Sequence, residues 1–214
     1  MRSPRPSLAL AALGVLLAGA VGPAGAATPS AAPRPVALEA AVLAEVNIAR
    51  AQPRAYAQRL RELAAETAGS GLYANLADGD EGALNEAIHF LEHQVPLAPL
   101  APDALLQATA LDHVEAQGRS GDTGHGDAAL GFGARLKRRG VFAGLSAEDI
   151  AYGYGRPRDV VAQLIIDRGI SGRGHRTNIF EAAFRVAGVA CGPHPTYGEM
   201  CVLDFATPLM RPGG

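Results

Sequence analysis

The chain has 214 residues, of which 48% are hydrophobic and 19% are charged, and its formal net charge at pH 7 is -2. A chain of this length and apolar content can bury one sizeable core, so we expect one globular domain and not a disordered polypeptide. The balanced charge provides no basic surface for phosphate backbones, and we expect no nucleic-acid partner.

The first 26 residues have the features of a secretory signal peptide. Arg2 and Arg5 form a short basic start, an apolar run covers residues 8–21, and residues 24–26 (AGA) give the small-x-small pattern that signal peptidase cleaves. The apolar run is shorter than the roughly 20 residues of a membrane-spanning helix, and no later run is long enough. We therefore predict a cleaved signal peptide at 1–26, no membrane span, and a secreted or periplasmic protein.

Cleavage after Ala26 is directly testable. Protein exported from a host that expresses the full sequence is expected to begin at Ala27, because signal peptidase requires small side chains just before the cut. Intact-mass analysis measures this start. An Ala26→Leu control is expected to accumulate as uncleaved precursor, and an exported product that retains Met1 would contradict the assignment.

Helical periodicity, with apolar residues three and four positions apart, predicts four helices in the first half of the mature chain. These segments cover residues 35–51, 54–68, 83–95 and 103–118. Pro53 separates the first two, Asp103 stands where an N-cap belongs, and Gly118 stands just after the last turn of the fourth. Residues 69–82 are predicted to be a loop.

The second half of the chain alternates helices and strands. We predict helices within 131–140 and 158–169, and strands within 147–155, 184–190 and 202–206. Few strands, several helices and a terminal antiparallel hairpin favour an α+β fold with layered α-β-α architecture over a doubly wound parallel sheet.

The two cysteines, Cys191 and Cys201, flank a Gly- and Pro-rich turn between the last two predicted strands. An oxidising compartment permits a disulfide between them, which would close the hairpin. Two buried free thiols are the alternative. A zinc site at this pair is less consistent with the sequence, because no CxxC spacing is present.

Three polar residues stand out in the second half: His125 in TGHGDA, Glu148 in SAEDIAYG and His175 in GRGHRTNIF. Their spacing matches no local metal motif, so only a tertiary fold could bring them together. Taken singly, each is typical of a surface residue or a hydrogen-bonded core residue.

The local sequence around these residues is more informative than their spacing. The segments EDIAYG, GHRTNI and FRVAGVACGPHPTYGEMCVLDFA, together with an opening VNIAR helix, closely resemble the CAP superfamily. This family, also called SCP domains, includes cysteine-rich secretory proteins, insect venom antigens and plant pathogenesis-related proteins, and the chain is similar to a secreted bacterial member.

The resemblance implies a three-layer α-β-α sandwich around a small antiparallel sheet, covering residues 37–208 after a linker at 27–36 and before a loose tail at 209–214. It also implies a cleft in which two histidines and one or two acidic residues meet. The residues carried over to this cleft are His125, Glu148 and His175.

Local sequence suggests how the second histidine is aimed. Gly174 would allow a tight turn and Asn178 would bond neighbouring backbone, so His175 would point into the cleft from a helix N-terminus. Two positions depart from the family pattern: Asp127 stands near where many eukaryotic members have a second Glu, and Asp149 replaces a common Asn.

Such a site has a definite chemistry. Two neutral imidazoles suit Zn²⁺ but hold it weakly, since zinc sites normally have three or four protein ligands. Glu148 could orient an imidazole, serve as a third ligand, or act as general base toward a metal-bound water.

No GxSxG nucleophile is present. We expect an exported, weakly metal-binding module with a lipid, glycan or protein ligand; the alternative is a secreted metal-assisted hydrolase.

The other histidines are expected to have structural roles. His89 and His93 are spaced as a zinc pair, but Phe90 stands where the HExxH motif requires Glu, so they indicate a solvated helix face. His113 is predicted to be a packing or hydrogen-bonded residue near the cleft, and His194 to belong to the hairpin turn.

Overall fold

Apolar helix stripes pack on both faces of a central sheet. The computed structural model describes residues 37–67, 81–127, 129 and 131–210, all within one compact unit. The first three helices of the described part of the chain are α1 (Leu38–Ala51), α2 (Pro53–Thr67) and α3 (Glu81–His93). The predicted signal peptide, the linker and residues 69–80 of the predicted loop lie outside the described residues.

The rest of the chain supplies a small sheet and further helices, which confirms the predicted mixed fold. The elements are β1 (Ala101–Pro102), α4 (Ala104–Ser120), α5 (Phe132–Arg138), β2 (Ser146–Tyr152), α6 (Pro157–Ile166), a 3-10 turn (Ser171–Arg173), α7 (Gly174–Ile179), β3 (Val186–His194) and β4 (Gly198–Ala206). Within the described ranges, no helix has the length and apolarity that crossing a membrane requires.

The strand order is β1-β3-β4-β2, with β2, β4 and β3 antiparallel. The sheet differs from the prediction in one respect, because β1 adds a parallel pairing to β3 that two residues are too short to signal in sequence. β2 is an edge strand, and its Glu148 lies opposite Asp204 of β4. The edge of the sheet therefore carries an acidic pair.

The alternation of strand side chains builds the three layers. Ala151 and Leu203 point into the main core with α1 and α6, whereas Ile150 and Val202 pack on α4 from the opposite face. Because side chains alternate, the consecutive residues Glu148 and Asp149 of β2 face opposite layers. One edge strand thus presents a carboxyl group to each side of the sheet.

The end of α4 differs from the prediction. Asp103 is the N-cap, as expected, and accepts from the N–H groups of Leu105 and Leu106. Gly118 does not end the helix, however, because the helix continues to Ser120 and Gly121, with φ of 75°, is the C-cap. A Cβ at Gly118 would lie 3.0 Å from the Pro193 carbonyl oxygen, so this glycine permits close packing.

The start of the predicted loose tail is attached to the domain. Leu209 packs on the cluster around Leu106, and the Met210 N–H donates to the Phe142 carbonyl at 2.8 Å. Residues 211–214 of this tail lie outside the described residues.

The terminal hairpin contains the predicted disulfide. Cys191 of β3 and Cys201 of β4 lie directly opposite each other and are bonded through their sulfurs. The bond closes a loop of sequence separation 10 and joins the two central strands of the sheet.

Reduction of this bond is expected to lower the free energy of unfolding by about 2.5 to 3 kcal/mol, because the open chain gains conformational entropy when unfolded. Urea unfolding with and without reductant measures the loss. The Cys191→Ala/Cys201→Ala double variant is the control, and reductant should leave it unchanged. Two thiols that alkylate in unreduced, denatured protein would contradict the bond.

Candidate functional site

A cleft of about 360 Å³ opens beside the β2 edge strand. The loop before α5, the end of α6, the start of α7 and the hairpin turn form its walls. Its lining residues are Thr123, Gly124, His125, Ile150, Tyr152, Gln163, Leu164, Asp167, Arg168, Ile170, His175 and Tyr197. The structure thus brings His125 and His175, which are far apart in sequence, into one cavity.

His125 is held by a buried carboxylate. Its Nδ1–H donates to Glu148 Oε1 at 2.9 Å, while half of the imidazole is exposed and only 1% of the Glu148 side chain is. Arg135 of α5 donates to the other Glu148 oxygen, and its second amino group donates to the His125 carbonyl at 3.2 Å. Arg135 therefore fixes both the carboxylate and the backbone of the histidine.

Of the two neighbouring carboxyl groups, Glu148 and Asp204, only Glu148 is expected to carry a negative charge. Burial alone would raise the pKa of Glu148, but the hydrogen bond from His125 and the charge of Arg135 outweigh it and lower the pKa. On the adjacent strand, burial and the Glu148 charge raise the pKa of Asp204 well above its usual range. Asp204 is therefore the neutral partner, and Arg135 balances the charge of Glu148.

Gly124, the residue before His125, is held at both its backbone N–H and its carbonyl. The Gly124 carbonyl accepts from His113 Nε2 at 2.8 Å and from Gln117 Nε2 at 2.6 Å. The Gly124 N–H donates to the Tyr152 hydroxyl at 3.0 Å, and that hydroxyl donates to Gln117 Oε1. His113 is buried, which lowers its pKa and favours the neutral form that this contact uses. The position of His125 therefore depends on α4 and β2.

His194 holds the same loop from the hairpin. Its Nδ1 accepts from the N–H groups of Thr196 and Tyr197, so its Nε2 carries the proton and donates to the Asp122 carbonyl at 2.9 Å. The residue lies at the end of β3, where the hairpin turns, as predicted.

His175 is held in the same manner by a second carboxylate, which the sequence analysis missed. Its Nδ1–H donates to Asp167 Oδ1 at 2.6 Å, and its backbone N–H donates to Asp167 Oδ2 at 2.9 Å. Burial opposes a charge on this imidazole, but the hydrogen bond to Asp167 and the negative charge of Asp167 raise the pKa of His175.

The approach to His175 differs from the prediction in two details. Gly174 has ordinary right-handed helical angles, whereas the left-handed residues are Gly172, with φ of 71°, and Arg173, with φ of 50°. Asn178 bonds a side chain instead of backbone, because its amide donates to Asp149 Oδ1 at 2.7 Å. The turn therefore lies earlier, and Asn178 connects α7 to the edge strand.

Asp149 is a buried carboxyl group on the face of β2 opposite to Glu148. Burial raises its pKa to about 8, and its Oδ2 has no hydrogen-bond partner in the part of the chain that the structure describes. A neutral acid here presents the same acceptor to Asn178 that an asparagine would. An asparagine at this position would therefore preserve the contact with Asn178.

The remaining candidates lie apart from the cleft lining. Asp127 accepts from the Ala129 N–H within its own turn. His89 and His93 are both exposed on α3, where their rings lie 4.3 Å apart, in agreement with a solvated helix face.

The candidate donors for a metal in the cleft are two imidazoles. Across residues 37–67, 81–127, 129 and 131–210, no group of three or more His, Cys, Asp or Glu is arranged to hold a metal ion. His125 and His175 nevertheless each direct Nδ1–H at a buried carboxylate, and neither Nε2 has a hydrogen-bond partner among these residues. Metal-binding histidines have this arrangement, in which a carboxylate fixes the tautomer.

These features define a class: an α-β-α domain with a two-histidine cleft at the edge strand. The sequence model of the cysteine-rich secretory protein family, CAP, matches residues 43–205. The chain belongs to this family. A search of curated proteins gives no match.

Three solved bacterial structures are similar to this chain. An extracellular protein with an SCP domain from Bacillus anthracis is 23% identical with a TM-score of 0.43, and the match covers 59% of this chain and 40% of that protein. An outer surface protein of Borrelia burgdorferi is 16% identical with a TM-score of 0.43 and coverages of 52% and 79%. A cysteine-rich secretory protein of Staphylococcus aureus is 13% identical with a TM-score of 0.38 and coverages of 60% and 40%.

The Asp149 carboxyl makes stability depend on pH. Its pKa is about 8 in the folded protein and 3.8 ordinarily, so its favourable contribution is complete below about pH 4 and is lost as the pH rises toward 8. We expect Asp149→Asn to stabilise the protein at neutral pH, by at most about 4 kcal/mol, and to have little effect at about pH 4.

Urea unfolding across this pH range measures the difference between parent and variant. Asp122→Asn, at an exposed loop position, is the matched control and should change stability little at any pH. A difference for Asp149→Asn that stays constant with pH would show that the folded protein contains the ionised carboxylate.

Proposed function

We propose that this protein is an exported binding module whose cleft holds a divalent cation, Zn²⁺, weakly and presents it to a lipid, glycan or protein ligand. The observation that carries the proposal is the pair of imidazoles that line one cleft with each Nδ1–H fixed on a buried carboxylate. Export is supported by the signal-like N-terminus and by the disulfide, which is typical of oxidising compartments.

The donor set fits weak metal binding. The residues that would hold the ion are His125 and His175, through Nε2, since Nδ1 of each is occupied by Glu148 or Asp167. A bound zinc ion would supply a Lewis acid with coordination positions left for water or ligand. Two protein ligands are fewer than structural or catalytic zinc sites use, so exchange with solvent zinc should be easy.

The Glu148 contacts support an orienting role. One oxygen accepts from His125 and the other from Arg135, and the side chain is 1% exposed. A carboxylate with both oxygens occupied has no oxygen left for a metal ion unless the Arg135 pair opens. We therefore assign Glu148 to the tautomer and direction of His125.

The same contacts favour binding over hydrolysis. A metal-assisted hydrolase needs a base that can reach a metal-bound water. In the described part of the cleft the one lining carboxylate is Asp167, which is 1% exposed and accepts from His175 with both oxygens. Glu148, the candidate base from the sequence, lies buried beneath His125 in the same way.

Zinc titration of the mature chain tests the metal site. His125→Ala and His175→Ala are each expected to abolish binding, because one imidazole alone is a poor site. Glu148→Gln and Asp167→Asn should weaken it by roughly 10- to 100-fold, because they release the tautomer of the ligand. Affinity should fall in acid, since imidazole must be neutral to bind a metal.

The control is the His89→Ala/His93→Ala variant, which removes an exposed histidine pair of helical spacing outside the cleft and should bind as the parent does. Thermal unfolding of each variant separates lost binding from lost folding. If a folded His175→Ala variant binds zinc normally, or if the α3 pair carries the zinc, the cleft assignment is wrong.

The hydrolase alternative has its own test. Ester and amide substrates are incubated with chelated protein and again after zinc is restored. We expect no zinc-dependent turnover above that of the His125→Ala variant. Turnover that zinc restores in the parent and not in this variant would replace the binding proposal with the hydrolase.

A further inference from the structure

We propose that Arg168 makes the cleft a carboxylate-binding site, which takes a ligand with a free carboxylate on an apolar or aromatic body. The proposal rests on the proposed ligand-binding role of the cleft, but it does not depend on the metal. It names the chemical class of the ligand and the residue that selects it.

Arg168 differs from the neighbouring arginines because its side chain has no partner among the residues that the structure describes. It follows the last turn of α6, is half-buried and lines the cleft. No hydrogen bond or ion pair joins its side chain to any residue that the structure describes. By contrast, Arg135 is paired with Glu148, and Arg173 and Arg176 both contact Glu86. A guanidinium on a cleft wall without a carboxylate is available to a ligand.

Among the described residues, no acidic side chain near the cleft is paired with Arg168. Both Asp167 oxygens accept hydrogen bonds from His175, and Glu148, which is not among the lining residues, is paired with Arg135. The remaining polar lining is neutral or imidazole. Asp167 keeps its negative charge, but its oxygens accept from His175, so the donors of Arg168 remain available to an anion, and enclosure by protein strengthens such a contact.

The planar shape and single charge of the Arg168 guanidinium favour a carboxylate over a phosphate. A guanidinium presents a planar fork of N–H donors that matches the two oxygens of a carboxylate, and one permanent positive charge balances one negative charge. A phosphate monoester carries up to two negative charges near neutral pH. Among the described residues that line the cleft, Arg168 is the one arginine, and there is no lysine.

The rest of the wall fits an apolar or aromatic body. Ile150 and Leu164 form a buried floor, while Ile170 and Tyr197 remain 43% and 49% exposed at the rim. The Tyr197 ring is supported by Tyr152, with ring centroids 5.2 Å apart. A supported ring loses little conformational freedom when a ligand packs on it. The carboxylate would meet Arg168, and the apolar body would cover this surface.

The test uses two small probes that differ in charge alone. Metal-free mature protein is titrated with N-acetyl-L-phenylalanine and with its uncharged carboxamide, and backbone amide shifts are followed by NMR. The acid is expected to shift the amides of Gly124, Arg168 and Tyr197 at millimolar concentration. It should bind about 10-fold more tightly than the amide, as expected for one charge-assisted hydrogen-bonded pair.

Variants of Arg168 test whether this side chain binds the carboxylate of the probe. Arg168→Gln should lower the affinity for the acid about 10-fold, to the level of the amide, and Arg168→Lys should lie between because it keeps the charge and loses the fork. Arg119→Gln is the matched control, since Arg119 is an exposed arginine outside the cleft lining. Arg168→Gln should unfold as the parent does, because no hydrogen bond or ion pair within the described part of the chain depends on the side chain.

Equal affinity for acid and amide, shifts outside the cleft, or no binding by either probe would overturn the proposal. Normal binding of the acid by Arg168→Gln would also overturn it. Phenyl phosphate is a further arm: tighter binding than the acid, lost in Arg168→Gln, would replace the carboxylate class with phosphate. Zinc titration of Arg168→Gln should match the parent, so failure of the metal site and failure of the carboxylate site remain distinguishable.

Discussion

The buried ion pair between Arg135 and Glu148 is the interaction on which the cleft depends. Both side chains are almost completely removed from solvent, with 2% and 1% exposed. Buried charges are costly unless paired, and removal of one partner typically costs about 3 to 5 kcal/mol. Because Arg135 also donates to the His125 carbonyl, the pair locates the imidazole as well as its carboxylate. The stability of the sheet edge and the geometry of the site are therefore linked.

The edge strand β2 extends this constraint to both faces of the sheet. Glu148 faces the α4 and α5 layer and holds His125, while Asp149 faces the other helical layer and meets Asn178 of α7. α7 also carries His175, which Asp167 fixes at the end of α6. The two imidazoles thus reach one cleft from opposite layers, and each has a buried carboxylate behind it.

Much of the fold could be predicted because its signals are local. Helical periodicity, strand alternation and the cysteine spacing each depend on residues close in sequence. Arg135 and Asp167 could not be found in this way, because an arginine in a short basic helix and an aspartate after an apolar helix look like solvated charges until tertiary contacts bury them. Gly118 misled the prediction because its role is close approach to Pro193, which sequence does not display. β1 was missed because two residues carry no periodicity.

The central claim is that both cleft imidazoles keep their proton on Nδ1, toward a carboxylate, and direct a bare Nε2 into the cleft. Long-range ¹H–¹⁵N NMR of the metal-free protein tests it most directly, at a pH where both imidazoles are neutral, because each tautomer has a distinct pattern of nitrogen shifts and couplings. The account predicts the Nδ1–H tautomer for both His125 and His175. An Nε2–H tautomer at either residue would contradict it, since that nitrogen could then neither bind a metal nor accept from a ligand.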